Sequence, residues 1–461
     1  MNESLINELQ RKLGPSKVLL GSDLAQRYEH IWTMDQPLQA MAVVLPSTTE
    51  EVSIILKACY TYQQPVVVHG GLTGLVGGTV TSSEEVVISM EKLNQIEEVD
   101  EVSRSMTVQA GVILEQIQLA AKEKNLLFPL NFGAKGSAQI GGAIATNAGG
   151  LRVVRFGMTR KLILGVEAVL ADGTIISSLK KIIKDNSGYD LKQLFIGSEG
   201  TLGIVTKAVL KLVEAPKSRN SAWLAVTSYD KVIQLLKFLD SNFAGMMSAF
   251  ELIWQNSFIT LTSPPSSVKS PLPYDYPYYV LTETLGSDVE KDLNKFQQVL
   301  ESALEHQLIE DAAIAFTESD HEWFWTIRED VKLLMQECGI DQQFDVSLPI
   351  SAIGDYITAA RKDLLKIPGV HVVHNLGHAA DGNIHFAVGK TNRTKELTQQ
   401  INEVIYPPLQ ALGGSISAEH GIGEDKKAYL PLSRNQDEIA LMQLLKKSLD
   451  PKEILNRGKV I

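Results

Sequence analysis

Cysteine is scarce in this sequence. Its 461 residues include only Cys59 and Cys338, and these do not form a CxxC pair. This scarcity excludes a scaffold built on disulfides and favours a reducing compartment. The sequence also lacks a haem-attachment or iron–sulfur motif. We therefore expect a cytoplasmic protein.

Long apolar runs are absent as well. No segment approaches the ~18 apolar residues that a membrane span needs. Residues 1–14 predict a short amphipathic helix with Leu5, Ile6, Leu9 and Leu13 on its apolar side. This helix is too polar for a secretion signal and lacks the arginines of a transit peptide. We expect neither a membrane span nor a targeting segment.

The sequence has no excess of positively charged residues. The chain has 43 Lys and Arg against 54 Asp and Glu, which gives a formal net charge of −11. This balance argues against nucleic-acid binding and against a basic membrane-docking face. Internal repeats and low-complexity tracts are absent too, and the composition, with 44% apolar and 21% charged residues, is that of an ordinary globular protein.

The length is too great for one hydrophobic core, so several domains are expected. After an N-terminal helical segment at 1–39, residues 40–216 combine many glycines with short β-like runs and intervening helices. Strands and longer helices mix from residue 217 onward, which predicts an α+β fold. The polar, proline-containing stretch 215–221 is the predicted linker.

Histidines cluster near the C-terminus, where five of the nine fall between residues 371 and 420. Asp381–Asn383 has strong turn chemistry, so a strand should approach this turn and another should leave it. Such a hairpin brings His378 and His385 together. With Glu419 they make a three-ligand set with an open position, which is typical of catalytic metal sites, and His420 stands beside it as a base.

The alternative for each histidine is a polar residue at a strand end with no ligand role. The clustering of five histidines near glycines and acids favours the metal hypothesis.

Three glycine-rich segments lie in the first half, at 69–79, 131–150 and 196–206. The first follows an apolar strand, but it matches neither a P-loop nor the GxGxxG fingerprint. Alone, such a loop is as often a tight turn as a phosphate site. Three of them together suit a backbone pressed against a large planar ligand with a pyrophosphate.

These three segments resemble the flavin-binding domain of the vanillyl-alcohol oxidase superfamily, and the second half resembles the FAD-linked oxidase C-terminal domain. Within the superfamily, stretches 149–157, 184–195 and 248–254 most resemble the FAD-linked D-2-hydroxyacid dehydrogenases, above all those of D-2-hydroxyglutarate. The resemblance implies a two-part FAD-binding domain at 40–216 and an α+β substrate- and metal-binding domain with an antiparallel sheet at 217–430. It also implies a C-terminal segment at 431–461 that packs back on the FAD domain.

The resemblance implies non-covalent FAD, because Leu72 holds the place where some members carry a histidine linked to the flavin. The matching positions imply that FAD contacts Gly70, Gly71, Leu72, Thr73, Gly74, Gly78, Thr79, Leu130, Gly133, Ser137, Gly141, Gly142, Thr146, Asn147, Gly149, Glu199, Gly203, Ile204, Val205 and Asn456.

The implied reaction oxidises a D-2-hydroxyacid to the 2-oxoacid, with hydride passing to the flavin N5. His378, His385 and Glu419 match the family's metal ligands, with zinc as the first choice and manganese as the second. His420 matches the general base. Arg328 matches the arginine that grips the substrate carboxylate, and the alternative for it is an ion pair on a helix surface.

Two positions depart from the pattern of the D-2-hydroxyglutarate enzymes. Those enzymes usually have Thr and Lys near the distal carboxylate, where this chain has Lys332 and Gln343. Lys332 lies four residues after Arg328 on a predicted helix, 322–337, and could supply the missing cation. Otherwise the pocket favours a shorter acid, D-lactate or glycolate. D-2-hydroxyglutarate is the first choice.

The family passes electrons to an electron-transfer flavoprotein or a quinone, which implies an acceptor of this kind. A homodimer is a further expectation for an enzyme of this size. Two alternatives stay open, namely an oxidase whose flavin reacts with oxygen and a non-catalytic flavin-binding subunit of a redox complex. The retained metal and base residues favour the dehydrogenase.

Overall fold

Two compact units make up the chain in a computed structural model, which describes residues 3–32, 34 and 37–461. The first unit comprises the described parts of 1–150, 157–215 and 419–461, and the second comprises 151–156 and 216–418. The chain therefore leaves the first unit twice and returns to it for the last time at Glu419.

Helices occur in both units. The α-helices of the described residues are α1 (Glu3–Leu13), α2 (Thr49–Tyr62), α3 (Leu114–Lys122), α4 (Ile140–Ala145), α5 (Val153–Phe156), α6 (Thr159–Leu162), α7 (Lys192–Phe195), α8 (Tyr229–Phe243), α9 (Gln255–Thr262), α10 (Val289–Glu305), α11 (Glu318–Glu329), α12 (Lys332–Cys338), α13 (Ile353–Leu364), α14 (Lys395–Ile405), α15 (Pro407–Ala411) and α16 (Gln436–Leu449).

The strands fall into separate sheets in the two units. They are β1 (Val18–Leu19), β2 (Ala42–Val44), β3 (Val66–His69), β4 (Val86–Ser89), β5 (Ile96–Asp100), β6 (Ser105–Gln109), β7 (Leu126–Leu127), β8 (Ile163–Val169), β9 (Ile175–Ser178), β10 (Ile204–Lys211), β11 (Val213–Glu214), β12 (Ser218–Val226), β13 (Met247–Trp254), β14 (Tyr278–Gly286), β15 (Asp311–Ile314), β16 (Ile340–Ser347), β17 (Val370–His378) and β18 (Asn383–Lys390).

The first unit holds two larger sheets of different kinds. One has the order β1-β2-β4-β3, in which β4 pairs in parallel with both β2 and β3. Parallel strands need a long crossover, and α2 provides it between β2 and β3. This helix begins after Thr48, whose side chain accepts a hydrogen bond from the Glu51 backbone, as an N-cap should. The other sheet, β5-β6-β10-β8-β9, is antiparallel.

The second unit is built on a seven-stranded antiparallel sheet with the order β15-β12-β14-β13-β17-β18-β16. Apolar side chains on one face, among them Trp223, Ile253 and Tyr279, pack against Phe258 of α9 and Phe324 of α11. The rings of Phe258 and Tyr279 stack with centroids 3.8 Å apart. This core holds α9 and α11 against the sheet, so the residues of α11 face the middle strands.

The α+β prediction is confirmed, but two local predictions are wrong. The predicted linker 215–221 is mostly sheet, because β12 begins at Ser218. The predicted helix 322–337 is two helices, since α11 ends at Glu329 and α12 begins at Lys332. Between them Asp330 has φ −80° and ψ 51°, which no α-helix can continue through.

Candidate active site

The predicted histidine hairpin is confirmed. Strand β17 ends at His378, a tight turn follows, and Gly382 closes it with φ 85°, the left-handed conformation that glycine adopts without strain. Strand β18 then returns antiparallel to β17, and His385 pairs with Leu376 across it. The imidazole rings of His378 and His385 have centroids 5.5 Å apart, and their ligand nitrogens lie within 4.8 Å of one another.

Each of these histidines faces a carboxylate on the neighbouring strand. Glu251 of β13 lies directly opposite His378, and Asp345 of β16 lies directly opposite His385. The Nδ1 of His378 is 2.6 Å from Glu251 Oε1, and the Nδ1 of His385 is 3.7 Å from Asp345 Oδ1. Since directly opposite residues share a face, the two acids and two histidines lie on one face of the sheet.

Arg328 contacts the same cluster from α11. Its side chain is buried, and its Nε donates to Glu251 Oε2 over 2.7 Å. The helix-surface ion pair considered from the sequence is therefore wrong, because Arg328 points into the unit. Among the described residues, the guanidinium of Arg328 has one hydrogen-bond partner, Glu251, and it contacts this partner through Nε. Its Nη groups can serve a ligand.

Two neighbouring side chains offset the burial of Glu251. Burial alone would raise the pKa of Glu251, but the adjacent His378 and Arg328 outweigh burial and hold that pKa below its ordinary value. The carboxylate is therefore ionised at neutral pH and can accept two charge-assisted hydrogen bonds.

Lys332 and Gln343 lie outside this cluster. Lys332 is exposed at the first turn of α12, and Gln343 is exposed on β16, where it donates to Asp341 over 2.7 Å. Because α11 and α12 are separate helices, Arg328 and Lys332 do not lie one turn apart on a single helix, and their spacing no longer directs them to one pocket. A role for Lys332 or Gln343 with the substrate stays a prediction.

Asp345 also holds the segment that leads to Glu419. The Ala418 backbone N–H donates to Asp345 Oδ2 over 3.0 Å, and Asn383 Nδ2 donates to Asp345 Oδ1 over 2.7 Å. The chain continues directly from Ala418 into Glu419 and His420. Asp345 therefore fixes the end of the second unit just before the predicted ligand and base.

In the first unit, Glu419 lies against Gly149. A Cβ atom built on Gly149 would lie 2.6 Å from Glu419 Oε1, closer than any side chain tolerates. Glu199 holds the residues that follow, because its carboxylate accepts the backbone N–H groups of Ile422 and Gly423 over 2.7 and 2.8 Å. Burial raises the pKa of Glu199.

The segments predicted to bind FAD come together in the first unit. A Cβ on Gly70 would lie 3.8 Å from the Gly142 nitrogen, so the first glycine loop meets the start of α4. The Glu199 N–H donates to Ala145 O, the end of α4, over 2.8 Å. Asn456 joins them, since its Nδ2 donates to Glu199 O over 2.7 Å and its Oδ1 accepts the Val68 N–H over 3.1 Å.

The predicted FAD-contacting glycines are of two kinds. Some have no protein atom near the position of a Cβ, namely Gly74, Gly78, Gly133 and Gly142. Others press against the protein itself, since a Cβ on Gly71 would meet Ser137 O at 2.1 Å and one on Gly141 would meet Ala110 Cβ at 2.7 Å. A Cβ on Gly203 would meet the Phe195 ring at 2.7 Å. The second kind shapes the backbone, and the first leaves room for a ligand.

Four predicted FAD contacts that are not glycine have positive φ, a strained conformation that concentrates at ligand sites. They are Leu72 at 57°, Asn147 at 50°, Glu199 at 51° and Asn456 at 40°. A buried acceptor lies near the first glycine loop, because Gln139 Oε1 has no hydrogen-bond partner among the described residues and is 3.7 Å from a Cβ built on Gly70. The glycines with open space at the Cβ position, together with this acceptor, fit a large polar cofactor.

His69 closes the first glycine loop. Its Nε2 lies 2.9 Å from Thr79 O, on the other side of the loop. Burial lowers the pKa of His69 to about 4, so the ring is neutral and its Nε2–H donates to that carbonyl. Lys459 supports the same loop, since its Nζ donates to Val80 O over 2.9 Å.

Sequence reasoning missed Glu251, Asp345 and His69 as members of these clusters. Glu251 and Asp345 each stand inside an apolar strand, Phe250–Leu252 and Phe344–Val346. An acid at the centre of a buried strand needs a charged partner, so this pattern was the available signal.

Two family models match the chain. Residues 40–178 match the FAD binding domain, and residues 215–460 match the C-terminal domain of FAD linked oxidases.

Curated relatives match most of the chain. A Danio rerio protein named D-2-hydroxyglutarate dehydrogenase, mitochondrial, is 36% identical over 98% of this chain and 84% of its own length. The Rattus norvegicus protein of the same name is 37% identical over 97% of this chain and 83% of its own. A Schizosaccharomyces pombe protein named "Putative D-lactate dehydrogenase", mitochondrial, is 40% identical over 89% and 80%.

Solved structures of low sequence identity share the fold. Alkyldihydroxyacetonephosphate synthase superimposes with a TM-score of 0.77 at 16% identity, covering 99% of this chain and 85% of that one. Substrate-bound p-cresol methylhydroxylase gives 0.72 at 16% identity, covering 99% and 96%. The predicted two-part flavin-binding fold is confirmed.

The expected cytoplasmic location is contradicted by these relatives, because all three are named as mitochondrial. The expectation came from the scarcity of cysteine, which indicates a reducing compartment but does not distinguish one such compartment from another. Within the described part of the chain, every helix is too short or too polar to span a bilayer.

Proposed function

We propose that this chain, which belongs to the family of FAD-linked oxidases, is a dehydrogenase that oxidises a D-2-hydroxyacid to the 2-oxoacid with non-covalent FAD and a divalent metal ion. The observation that carries the proposal is the identity of 36–37% to D-2-hydroxyglutarate dehydrogenases over more than four-fifths of their length. The cluster of His378, His385, Glu251 and Arg328 supports it, because it combines candidate metal ligands with a carboxylate-binding group.

FAD supplies the acceptor for the hydride when it is bound. The residues that hold it are the glycine loops with Leu72, Asn147, Glu199 and Asn456. Leu72 carries no nucleophile, so no covalent bond to the flavin forms at that position. Acid precipitation should therefore release the yellow colour into the supernatant.

Three side chains hold the metal, namely His378, His385 and Glu419. Two imidazoles and a carboxylate suit zinc first and manganese second. When bound, such a cation polarises the hydroxyl oxygen of the substrate. The contact between His378 Nδ1 and Glu251 supports this role, because metal-binding histidines commonly donate their other N–H to a carboxylate.

The remaining roles fall to Arg328 and His420. The Nη groups of Arg328 bind the carboxylate that all 2-hydroxyacids share, with the fork geometry that suits it. His420 takes the hydroxyl proton at an imidazole nitrogen, since imidazole is the side chain that most often serves as a general base. Electrons then pass to a second protein or a quinone.

The choice of acid lies between D-2-hydroxyglutarate and D-lactate. More of the relatives described above carry the first name, which makes it the first choice. The exposed position of Lys332 and the Schizosaccharomyces pombe relative favour the second. The distal carboxylate of hydroxyglutarate needs a cation near Arg328, whereas lactate needs none.

A substrate screen on purified protein tests the proposal. D- and L-2-hydroxyacids are offered with an artificial dye as electron acceptor, with and without a chelator. We expect dye reduction with the D-acids, loss of turnover with the chelator, FAD retained on the protein, and recovery with Zn²⁺ or Mn²⁺. Full activity in metal-free protein would contradict the metal role.

The product formed in air distinguishes a dehydrogenase from the rival proposal, an oxidase. An oxidase releases hydrogen peroxide in air at the rate of substrate turnover, whereas a dehydrogenase needs the dye. Peroxide release that matches the rate of dye-linked turnover would favour the oxidase.

A further inference from the structure

One buried carboxylate contacts two of the residues to which the proposed reaction assigns roles. Glu251 is 1% exposed and lies in the middle of β13. Its Oε1 is 2.6 Å from His378 Nδ1, and its Oε2 is 2.7 Å from Arg328 Nε. Each oxygen of the carboxylate thus serves one partner.

The contact with His378 selects one ring nitrogen for the ligand. The other oxygen of Glu251 already accepts from the guanidinium of Arg328, which is always a donor, so Glu251 is the acceptor in both contacts and the Nδ1 of His378 carries the hydrogen. In the neutral ring the lone pair then belongs to Nε2. Glu251 and His378 are directly opposite on paired strands, so the backbone register holds the carboxylate within reach of the His378 ring.

The contact with Arg328 selects one edge of the guanidinium. Nε is taken by Glu251, which leaves the two Nη groups for another carboxylate. Helix α11 begins with a capping box at Thr317 and Asp320, and it carries Arg328 in its last turn. The side chain therefore reaches Glu251 from a well-anchored helix and presents one defined edge.

We infer that Glu251 is a positioning residue, which turns the Nε2 of His378 toward the metal and the Nη edge of Arg328 toward the substrate carboxylate. This inference rests on the proposed function and assigns a role in it to Glu251. In this role Glu251 itself contacts neither the metal ion nor the substrate. It acts by coupling the orientation of the metal ligand to that of the substrate-binding arginine.

The test compares Zn²⁺ affinity in the wild type and in Glu251→Gln, measured by competition with a chromophoric chelator. We expect affinity to fall about 10–100-fold, the usual cost of removing the partner of a metal-binding histidine. The KM for the hydroxyacid should rise in the same variant at saturating Zn²⁺, because Arg328 loses its anchor. Wild-type Zn²⁺ affinity in a folded, FAD-loaded Glu251→Gln variant would overturn the inference.

Glu283→Gln is the matched control. Glu283 lies on β14, the strand next to β13, and is fully buried. It pairs with arginines, Arg219 at 2.7 Å and Arg152 at 3.2 Å, but with no histidine among the described residues. This variant should lower the melting temperature and leave Zn²⁺ affinity unchanged within about twofold, a margin well inside the loss expected for Glu251→Gln. An equal loss of affinity in both variants would mean that Glu251 acts through stability alone.

A measurement on the unmodified protein covers the case in which Glu251→Gln does not fold. Anomalous diffraction from Zn²⁺-loaded crystals locates the metal, which we expect on His378 Nε2. A metal on Nδ1 would overturn the inference while leaving the proposed function standing. A wild type that binds no Zn²⁺ or Mn²⁺ would contradict the metal role itself, and the positioning role with it.

Discussion

Gly149→Ala should weaken metal binding without changing any proposed ligand. The new Cβ would lie 2.6 Å from Glu419 Oε1 and 3.2 Å from its Cδ and Cγ, whereas ordinary contacts begin at 3.4 Å. The carboxylate must therefore retreat by about 0.8 Å, several times the ~0.2 Å tolerance of a metal–ligand distance. We expect Zn²⁺ affinity to fall at least ~10-fold, since lesser disturbances of metal ligands cost that much.

The assay is competition with a chromophoric chelator, together with turnover at limiting and saturating Zn²⁺. Flavin absorbance is recorded in parallel, because Gly149 is also a predicted FAD contact. Gly136→Ala is the control, since its Cβ would lie 3.6 Å from Glu115 Oε2, an ordinary distance to the same kind of group. Unchanged Zn²⁺ affinity in Gly149→Ala with normal flavin content would refute Glu419 as a ligand.

The further predictions concern four single side chains. His420→Ala should lower kcat by about 10²-fold, because a positioned base is lost, and it should retain its metal content. A variant that loses metal but keeps its rate would reverse the roles of Glu419 and His420. Arg328→Ala should raise KM for D-2-hydroxyglutarate and D-lactate alike, whereas Lys332→Ala should raise KM for the first alone, by roughly tenfold, if Lys332 binds the distal carboxylate. Steady-state kinetics with both acids decide, and equal effects of Lys332→Ala on the two acids would remove Lys332 from the site. Because burial lowers the pKa of His69 to about 4, the folded first unit resists its protonation, so stability should fall as pH drops from ~6.5 toward ~4. Urea unfolding should show a loss of about 2 kcal/mol between pH 7 and pH 5 in the wild type and much less in His69→Gln, and equal losses would show that His69 is not the responsible group.

The histidine hairpin was predictable because its signals are local. Asp381–Asn383 has the turn chemistry, and the alternation of the following strand places His385 on one face. The glycine loops were recognisable for a similar reason, since their spacing is carried by short contiguous segments. What the sequence could not tell is which glycines face open space and which press on the protein, because the partners of Gly71 and Gly149 lie far along the chain.

The carboxylates behind the histidines were missed because their partners are distant in sequence. Glu251 and His378 are 127 residues apart, and the pairing of β13 with β17 brings them together. The break between α11 and α12 was missed too, since neither glycine nor proline marks it. That break removed the argument that placed Lys332 beside Arg328, and with it the main physical reason for preferring hydroxyglutarate to lactate.

Anaerobic reduction of the bound flavin tests whether this protein oxidises a D-2-hydroxyacid. Zn²⁺-loaded protein is mixed with D-2-hydroxyglutarate, D-lactate or their L-enantiomers in a stopped-flow instrument, and flavin absorbance is followed without any electron acceptor. We expect at least one of the D-acids to bleach the oxidised flavin and the L-acids to leave it unchanged. A flavin that stays oxidised with every D-2-hydroxyacid, in protein that retains both FAD and metal, would contradict this expectation.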